Sequence, residues 1–262
     1  MYYLTISAVF RQENQWLEEW IRYHQKVGVE HFYLYNNDID SAKSDCILQP
    51  FVEQGLVENI RFPGTYIQLA QIQDAMRRAI HQTFWLALID LDEFILARQY
   101  DDIRDVLRDY ETYSGLAVNW SIFGTNGYYE SPPDQINHLL RRAEETFSVN
   151  RHIKSIIQPQ YAVTEMIADP HAFQFHTGYA VGEKYDPVHS PWRDYSADKI
   201  RINHYALRSV RDFWDTKVAR GQASPIPDRD QDFFDAHDRN EVFDDEISHR
   251  FGKQQNRERE LL

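Results

Sequence analysis

The sequence is poor in cysteine, in long apolar runs and in basic residues. Cys46 is the only cysteine among 262 residues, which excludes an intrachain disulfide and a thiolate zinc cluster and is typical of a reducing compartment. The apolar run 84–89 is far shorter than the ~20 residues that span a bilayer, and the first residues resemble a strand rather than a signal peptide. We therefore expect a cytoplasmic protein without a transmembrane segment, whose oligomeric state the sequence leaves open.

The chain has too few cations for nonspecific binding to polyanions. It carries 28 Lys and Arg against 41 Asp and Glu, a net charge of −13, which argues against nucleic acid and anionic membranes as partners. An anionic ligand would need a local positive charge. Since 42% of the residues are hydrophobic and 14% aromatic, the chain is expected to fold, and its length allows one large α/β domain.

Glycine-rich phosphate loops are also absent. A Rossmann dinucleotide site has G-x-G-x-x-G after its first strand, where this sequence has Phe10-Arg11-Gln12-Glu13-Asn14, and a P-loop is missing too. The absence of H-E-x-x-H and G-x-S-x-G excludes the usual metalloproteases and serine hydrolases. A metal ion is therefore favoured as the means of holding phosphates.

Strand-like apolar runs alternate with amphipathic helical patterns over the first ~100 residues, a pattern typical of βαβ units. Strands are predicted at 4–10, 31–36, 57–62 and 84–90, and helices at 14–27, 41–54 and 66–82. The second half is α+β in character, with predicted helices at 101–110 and 209–220 and a strand at 116–120. The sequence thus predicts an α/β fold with a mixed, mostly parallel central sheet and flanking helices. Residues 1–221 form the predicted domain, and 222–262 an acidic and polar extension packed on it or closing over it.

The fourth predicted strand ends in Asp90-Leu91-Asp92. Strand alternation would place both carboxylates on the same side, at the sheet edge where open α/β folds bind ligands. Hard oxygen ligands suit Mg²⁺ or Mn²⁺. Water and substrate phosphates commonly complete the coordination of these cations. His204 is a candidate third ligand. The alternative is that the two acids cap a turn or helix.

A longer set of residues follows one another in an order that resembles a known family. The set comprises Arg11-x-Glu13-Asn14-x-x-Leu17-x-Glu19-Trp20-Ile21-x-Tyr23-His24-x-x-x-Gly28-Val29-x-His31-Phe32-Tyr33-Leu34-Tyr35-Asn36-Asn37, Asp90-Leu91-Asp92-Glu93-Phe94, Trp120-x-x-Phe123-Gly124, Lys154-Ser155-Ile156, His204-Tyr205 and Lys217-x-x-x-Gly221. It resembles glycosyltransferase family 92 and its bacterial family-2-like relatives. The resemblance implies a GT-A fold, the nucleotide-diphospho-sugar transferase type, and inverting, metal-dependent transfer of a sugar to a glycan or glycoconjugate. Galactose from UDP-galactose is the favoured donor.

The resemblance also implies roles for individual residues. Asp90, Asp92 and His204 would hold Mn²⁺ or Mg²⁺, with Asp90 also able to contact the donor ribose. The other donor-binding residues would be Phe10, Arg11, Glu13, Asn36, Asn37, Gln71, Asp74, Lys154, Lys217 and Arg220. The alternatives are a surface ion pair for Arg11 and Glu13, a solvated helix face for Gln71 and Asp74, and solvated surface positions for the lysines.

Acceptor and base residues are predicted in the second half. Trp120, Phe123 and Gly124 suit an acceptor site, because sugar rings pack on aromatic rings and glycine permits close approach; an aromatic core is the alternative. Inverting transfer also needs a carboxylate within reach of the acceptor hydroxyl. Asp169 is the first candidate, followed by Glu165 and Asp194.

Two other functions stay open at this point. A nucleotidyltransferase would also use paired acids and Mg²⁺, although the triphosphate loop expected of it is missing. A degenerate GT-A domain would bind carbohydrate without turnover, although the presence of Asp90, Asp92 and His204 argues against that interpretation.

Overall fold

The first half of the chain builds a parallel sheet. The computed structural model describes residues 1–165, 167–225 and 229–252. In it, β1 (Tyr2–Phe10) pairs in parallel with β2 (His31–Asn36) and with β4 (Thr83–Leu88), and β2 pairs in parallel with β3 (Val57–Arg61). The carboxyl ends of these strands meet at one edge of the sheet, as expected for parallel neighbours.

Helices connect these strands at the positions that the periodicity predicts. They are α1 (Asn14–Lys26), α2 (Ala42–Glu53) and α3 (Gln68–Ala79), followed later by α4 (Ile103–Leu107). In α1 the buried residues Trp16, Trp20 and Ile21 recur at helical spacing. Gly28 ends that helix with a φ of 105°, a conformation that glycine adopts without strain.

The second half completes a mixed sheet. Its strands are β5 (Glu93–Ala97), β6 (Gly115–Ile122), β7 (Arg141–Arg142), β8 (Ile153–Ile157), β9 (Ala180–Val181), β10 (Pro187–Val188), β11 (Ile200–His204) and β12 (Val242–Phe243). β8 lies antiparallel between β4 and β6, and β11 runs parallel to β6 and antiparallel to β5. The prediction of an α/β fold with a mixed, mostly parallel central sheet and flanking helices is confirmed.

Irregular helical turns occupy several loops. Short 3₁₀ segments span Arg108–Tyr110, Ser148–Arg151 and Pro159–Tyr161, and π-helical segments span Asp212–Val218 and Ser248–Gly252. The α-helix α5 (Gln231–His237) lies between the π-helical segments. The helix predicted at 209–220 is thus shorter and wider than expected, and wide turns of this kind are frequent at functional sites.

The central position of β4 follows from burial on both of its faces. Trp85 and Ala87 pack into the main core beneath α1, whereas Leu86 and Leu88 pack into a second cluster beneath α3. A strand with a continuous apolar sequence is typical of this position. Its end is therefore held rigidly between two cores.

The described part of the extension packs on the rest of the chain. The N–H of Gln68 donates to the carbonyl of Ala223, and Ile247 and Phe251 join the main core. Residues 226–228 and 253–262 lie outside the described residues, and the boundary at 221 stays a prediction. Among the helices that the structure describes, none is both long and apolar enough to cross a membrane.

Candidate functional site

Asp90 and Asp92 lie in the tight turn that joins β4 to β5. The N–H of Glu93 donates to the carbonyl of Asp90 at 3.1 Å, and the N–H of Asp90 donates to Oε2 of Glu93 at 2.9 Å. Leu91, between the two aspartates, points into the main core. Strand alternation does not orient the two carboxylates as the sequence predicted. Both residues follow the end of β4, and the turn orients them.

A buried lysine neutralises Asp90. Lys154, on the neighbouring strand β8, is 2% exposed, and its Nζ donates to Asp90 Oδ2 at 2.7 Å. Burial by itself would raise the pKa of Asp90, but the ammonium of Lys154 outweighs it and holds that pKa below its usual range. The alternative of a solvated surface lysine is therefore wrong for Lys154.

A second buried lysine neutralises Asp92. Lys217, in the segment Asp212–Val218, is 1% exposed and donates to Asp92 Oδ2 at 2.5 Å and to the carbonyl of Ala206 at 2.6 Å. Burial lowers the pKa of Lys217 to about 8. Burial by itself would raise the pKa of Asp92, but the ammonium of Lys217 outweighs it and holds that pKa well below its usual range. Both groups are therefore ionised at neutral pH.

His204 faces the same carboxylate from the end of β11. Its Nε2 lies 3.6 Å from Asp92 Oδ1, and its Nδ1 is buried without a hydrogen-bond partner among the described residues. Burial lowers the pKa of His204, so the imidazole is neutral and carries a lone pair. The structure therefore brings Asp92 and His204 together as the sequence predicts.

Glu13 forms ion pairs with two arginines, one of which contacts the turn. Its carboxylate lies 3.0 Å from Arg208 and 3.0 Å from Arg220, and Arg208 also donates to the carbonyl of Leu91 at 3.2 Å. The alternative of a surface ion pair between Arg11 and Glu13 is wrong, because Glu13 is buried and pairs with these two arginines. Arg220 also donates to the backbone carbonyl of Arg11.

The face of α3 that points to Asp90 carries two glutamines. Gln71 is buried and donates to Ser7 Oγ at 2.6 Å, and Gln68 donates to Asp90 Oδ1 at 3.4 Å. Both line a narrow cavity that also includes Asp90 and Lys154. Asp74 was predicted to approach the donor with Gln71, but it accepts from Tyr35 of β2 and from Arg78 and does not line this cavity, so the structure does not support its role in donor binding.

Three predicted donor residues at strand ends serve the fold instead. Phe10 is buried in the main core. Asn36 is fully buried and bonds with Ser44, and the side chain of Asn37 accepts the N–H of Gly64 at 2.9 Å. The structure does not support a side-chain contact between these three residues and a ligand, because packing and loop hydrogen bonds already engage them.

Of the three predicted acceptor residues, Trp120 packs its side chain against His204. Its ring centroid is 4.4 Å from that of His204. Phe123 packs in the core against Tyr205 at 4.8 Å. A Cβ atom on Gly124 would overlap the carbonyl of Arg239, so glycine serves backbone packing there and the acceptor role of Phe123 and Gly124 is not supported.

The three candidate bases differ in their surroundings. Oδ1 of Asp169 accepts the N–H of His171 at 2.7 Å, in a turn whose Pro170 lines the cavity beside Asp90. The side chain of Asp194 is 98% exposed and pairs with Arg151 at 3.2 Å, and Glu165 is exposed. Asp169 therefore stays a candidate, whereas the surroundings of Asp194 and Glu165 are those of surface residues.

The sequence also carries a family signature over almost its whole length. The model of glycosyltransferase family 92 matches residues 2–249. The chain belongs to glycosyltransferase family 92. The match includes the turn with Asp90 and Asp92 as well as Lys154, His204 and Lys217.

The chain aligns with only part of each named relative. It is 26% identical over 236 residues to a glycosyltransferase family 92 protein of Ricinus communis, covering 86% of this chain and 39% of the relative. It is 26% identical over 180 residues to one of Oryza sativa subsp. japonica, covering 67% and 30%. It is 27% identical over 113 residues to the galactan beta-1,4-galactosyltransferase GALS3 of Arabidopsis thaliana, covering 40% and 22%. The chain thus spans about a third of the length of the first two.

Among solved structures, the chain resembles S. aureus TarS residues 1–349. The crystal structure of that protein, and the one in complex with UDP, each give a TM-score of 0.41 at 11% identity, covering 64% of this chain and 52% of that one.

The donor atoms around Asp92 fit a divalent cation in this family 92 chain. A carboxylate oxygen and a neutral imidazole nitrogen face each other at 3.6 Å, and both atom types are ligands of Mn²⁺. Within residues 1–165, 167–225 and 229–252 no three His, Cys, Asp or Glu side chains converge as a cation cage. Donor phosphates and water would complete the coordination, and Asp90 lies in the same turn.

Several residues of the site escape the sequence patterns. Gln68, Arg208 and His171 belong to no motif, and Arg229 lies in the extension, where its pKa is lowered by burial even though Asp92 and Asp90 oppose that change. Their common signal is a cation, amide or imidazole close in sequence to a predicted site residue. That signal is too weak to single them out.

Proposed function

We propose that the chain is a glycosyltransferase that binds a nucleoside diphosphate sugar at the turn between β4 and β5. The observation that carries the proposal is the arrangement around Asp92, with a buried Lys217 on one carboxylate oxygen and a neutral His204 facing the other. Lys154 and the pair Arg208 and Arg220 add positive charge around the same turn. In a chain of net charge −13 these cations offer a local site for a diphosphate.

We further propose that transfer depends on Mn²⁺ or Mg²⁺ held by Asp92 and His204. When bound, the cation would stabilise the negative charge that develops on the leaving diphosphate. Lys217 keeps Asp92 ionised for the cation, because its ammonium donates to Asp92 Oδ2. Lys154 keeps Asp90 ionised in the turn, where the carboxylate is available to the cation or to a ribose hydroxyl.

Transfer is proposed to invert the anomeric carbon. The acceptor oxygen forms a bond to C1 as the bond from C1 to the phosphate oxygen breaks, the nucleoside diphosphate leaves, and a carboxylate takes the acceptor's proton. Asp169 is the first candidate for this base because its turn borders the cavity beside Asp90.

The favoured donor is UDP-galactose, and the acceptor is a hydroxyl of a glycan or glycoconjugate. The name of the Arabidopsis relative, a galactan galactosyltransferase, supports galactose. A nucleotidyltransferase and a degenerate carbohydrate-binding domain are the competing functions, and each predicts a different result below.

Calorimetric titration of the full chain with UDP and with GDP, in Mn²⁺ and in EDTA, tests the donor site. We expect UDP to bind in Mn²⁺, to bind at least about tenfold more weakly in EDTA, and to lose the Mn²⁺ dependence in Asp92→Asn. Asp74→Asn is the matched control, since Asp74 does not line the cavity beside Asp90, and this variant should bind UDP as the wild type does. Thermal unfolding of each variant separates lost binding from lost folding.

Turnover separates the competing functions. A glycosyltransferase releases UDP from UDP-galactose in the presence of acceptor, and NMR of the product gives the anomeric configuration. Metal-dependent UDP binding without release of UDP from any UDP-sugar would favour the degenerate domain. Tighter binding of UTP than of UDP, with release of pyrophosphate, would favour the nucleotidyltransferase. Failure of every nucleotide to bind would overturn the proposal.

A further inference from the structure

Alternating imidazole and indole rings extend from His204 to the protein surface. The ring centroids of His204 and Trp120 lie 4.4 Å apart, those of Trp120 and His152 4.8 Å, and those of His152 and Trp192 3.4 Å. His171 lies beside the middle of this aromatic ladder, 5.3 Å from Trp120 and 5.1 Å from His152. The ladder therefore connects the candidate donor site with the exposed ring of Trp192.

The ladder combines an exposed apolar ring with polar nitrogen atoms, as ligand sites do. Trp192 is 44% exposed, so its ring is accessible to a ligand. Deeper in the ladder, Nε1 of Trp120 and Nδ1 of His152 are buried without a hydrogen-bond partner among the described residues. Buried polar atoms are nearly always paired in native proteins, so these two atoms point to a polar partner that binds there.

The surroundings favour an uncharged partner. Burial lowers the pKa of His152 and of His171 to about 4, so both rings are neutral at neutral pH. The flanking charges are already paired, since Arg151 lies 3.2 Å from Asp194 and Arg193 lies 2.8 Å from Asp186. An apolar ring face with neutral hydrogen-bonding groups matches a sugar, which presents apolar C–H faces and hydroxyl groups.

We propose that Trp192, His152 and Trp120 form the acceptor subsite and bind a neutral hexopyranose, an inference that rests on the glycosyltransferase function proposed above. One face of the sugar ring packs on Trp192. Its hydroxyl groups pair with Nε1 of Trp120 and Nδ1 of His152, for which the described part of the chain supplies no hydrogen-bond partner. This subsite keeps Trp120 from the sequence prediction and replaces Phe123 and Gly124, which are packed in the core and against the extension.

Saturation-transfer NMR on the full chain with UDP and Mn²⁺ tests the subsite directly. The probes are methyl β-galactopyranoside, methyl β-glucopyranoside and methyl β-N-acetylglucosaminide. We expect the wild type to bind at least one of them, Trp192→Ala to bind it about tenfold more weakly, and Trp192→Phe to recover part of the loss because it restores an aromatic face. UDP affinity should be the same in all three proteins.

Tyr100→Ala is the matched control, because Tyr100 is 45% exposed and lies outside the ladder. It should bind the glycoside as the wild type does. Equal binding by Trp192→Ala and wild type would overturn the proposal, and so would a wild type that binds UDP but none of the glycosides. A wild type that binds a glycoside through Trp192 but no nucleotide would instead overturn the donor site and leave the sugar subsite in place.

Discussion

Nζ of Lys217 lies 2.5 Å from Oδ2 of Asp92, and the other oxygen of that carboxylate faces His204 Nε2 at 3.6 Å. The lysine thus holds the carboxylate that a cation would need. Two positive charges beside one carboxylate repel each other, so Lys217 and a bound cation compete unless a diphosphate brings further negative charge. Donor and cation should therefore bind together better than either binds alone.

Replacing Lys217 should change cation and nucleotide binding in opposite directions. We expect Lys217→Gln to bind Mn²⁺ more tightly than the wild type in the absence of nucleotide, because the competing ammonium is gone. The same variant should bind UDP in Mn²⁺ roughly tenfold more weakly, because the positive charge of Lys217 at the proposed diphosphate site is lost. Calorimetric titration measures both affinities.

Lys184→Gln is the control for this variant, since Lys184 pairs with Asp198 at the surface. It should leave both affinities unchanged. If Lys217→Gln bound Mn²⁺ no better than the wild type, the competition between lysine and cation would be refuted.

The pair of Lys154 and Asp90 should show strong coupling in stability. Lys154→Met leaves the Asp90 carboxylate without its buried partner. Because the Asp90 side chain is 35% exposed and water screens its charge, we expect a loss of about 1–3 kcal/mol in the free energy of unfolding. Adding Asp90→Asn to that variant should recover much of the loss, because no uncompensated charge then remains. Urea unfolding of the wild type, both single variants and the double variant gives the coupling energy. Additive losses would mean that the two side chains do not act as a pair.

Local patterns in the sequence predict the frame of this site, whereas its charge pairs are not predictable. Strands β1, β2 and β4 and helix α1 were found because apolar spacing and helix ends are local signals. The ion pairs of Glu13 with Arg208 and with Arg220 join residues about 200 positions apart in the sequence, and no local pattern reports such a contact. The donor-binding role predicted for Asp74 failed for a related reason. Helical periodicity alone does not distinguish a residue that faces a ligand from one that bonds with neighbouring side chains.

Asp244 should make stability depend on pH in the acid range. Its carboxylate lies 2.7 Å from Arg142 and 2.7 Å from Arg201 and thereby ties the extension to β7 and β11. Burial opposes ionisation, but the two arginines lower the pKa of Asp244 from 3.8 to about 2. Because the folded pKa is the lower one, the stabilisation of about 2 kcal/mol is complete above pH ~4 and is lost as the pH falls through ~2.

Urea unfolding of wild type and Asp244→Asn checks this prediction. The variant should be the less stable protein at about pH 6, and the difference should shrink as the pH falls through the window given by the two pKa values. Asp194→Asn, at an exposed position, serves as the control. It should change the free energy of unfolding little at about pH 6 and at acid pH. A difference that stayed constant with pH would show that the charge of Asp244 is not what stabilises the fold.

Gly124 separates a packing role from an acceptor role. Its backbone lies against residues 239 and 240, and a Cβ atom would overlap the carbonyl of Arg239. We expect Gly124→Ala to lower the free energy of unfolding by about 1–3 kcal/mol, with the acceptor KM unchanged. A variant of normal stability with a raised acceptor KM would restore the original sequence prediction.

The failure of Phe123 and Gly124 as acceptor residues shows where motif order stops being informative. The motif Trp120-x-x-Phe123-Gly124 runs from the end of β6 into the following loop, so its residues point in different directions. Trp120 faces His204, while Phe123 packs against Tyr205. The partner of Gly124 is the extension, whose packing depends on long-range contacts. Motif spacing locates the region but does not give the direction of each side chain.

Asp169 has two separable roles that one substitution distinguishes. Its Oδ1 accepts the N–H groups of His171 and Ala172, which stabilises the turn, and an asparagine amide oxygen accepts the same bonds. We therefore expect Asp169→Asn to keep the fold and the UDP affinity. If Asp169 is the base, kcat for transfer should fall by about 10²–10⁴, because an amide cannot take the acceptor's proton.

Asp169→Ala completes the comparison, because alanine removes both the turn hydrogen bonds and the carboxylate. Calorimetry with UDP, thermal unfolding and transfer rates should show Asp169→Asn as stable as the wild type but inactive, and Asp169→Ala as both less stable and inactive. Full transfer activity in Asp169→Asn would confine Asp169 to the turn. The proton would then have to leave through another group at the same edge of the sheet, and His171, the neutral imidazole that this turn positions beside Trp120, would be the next residue to substitute.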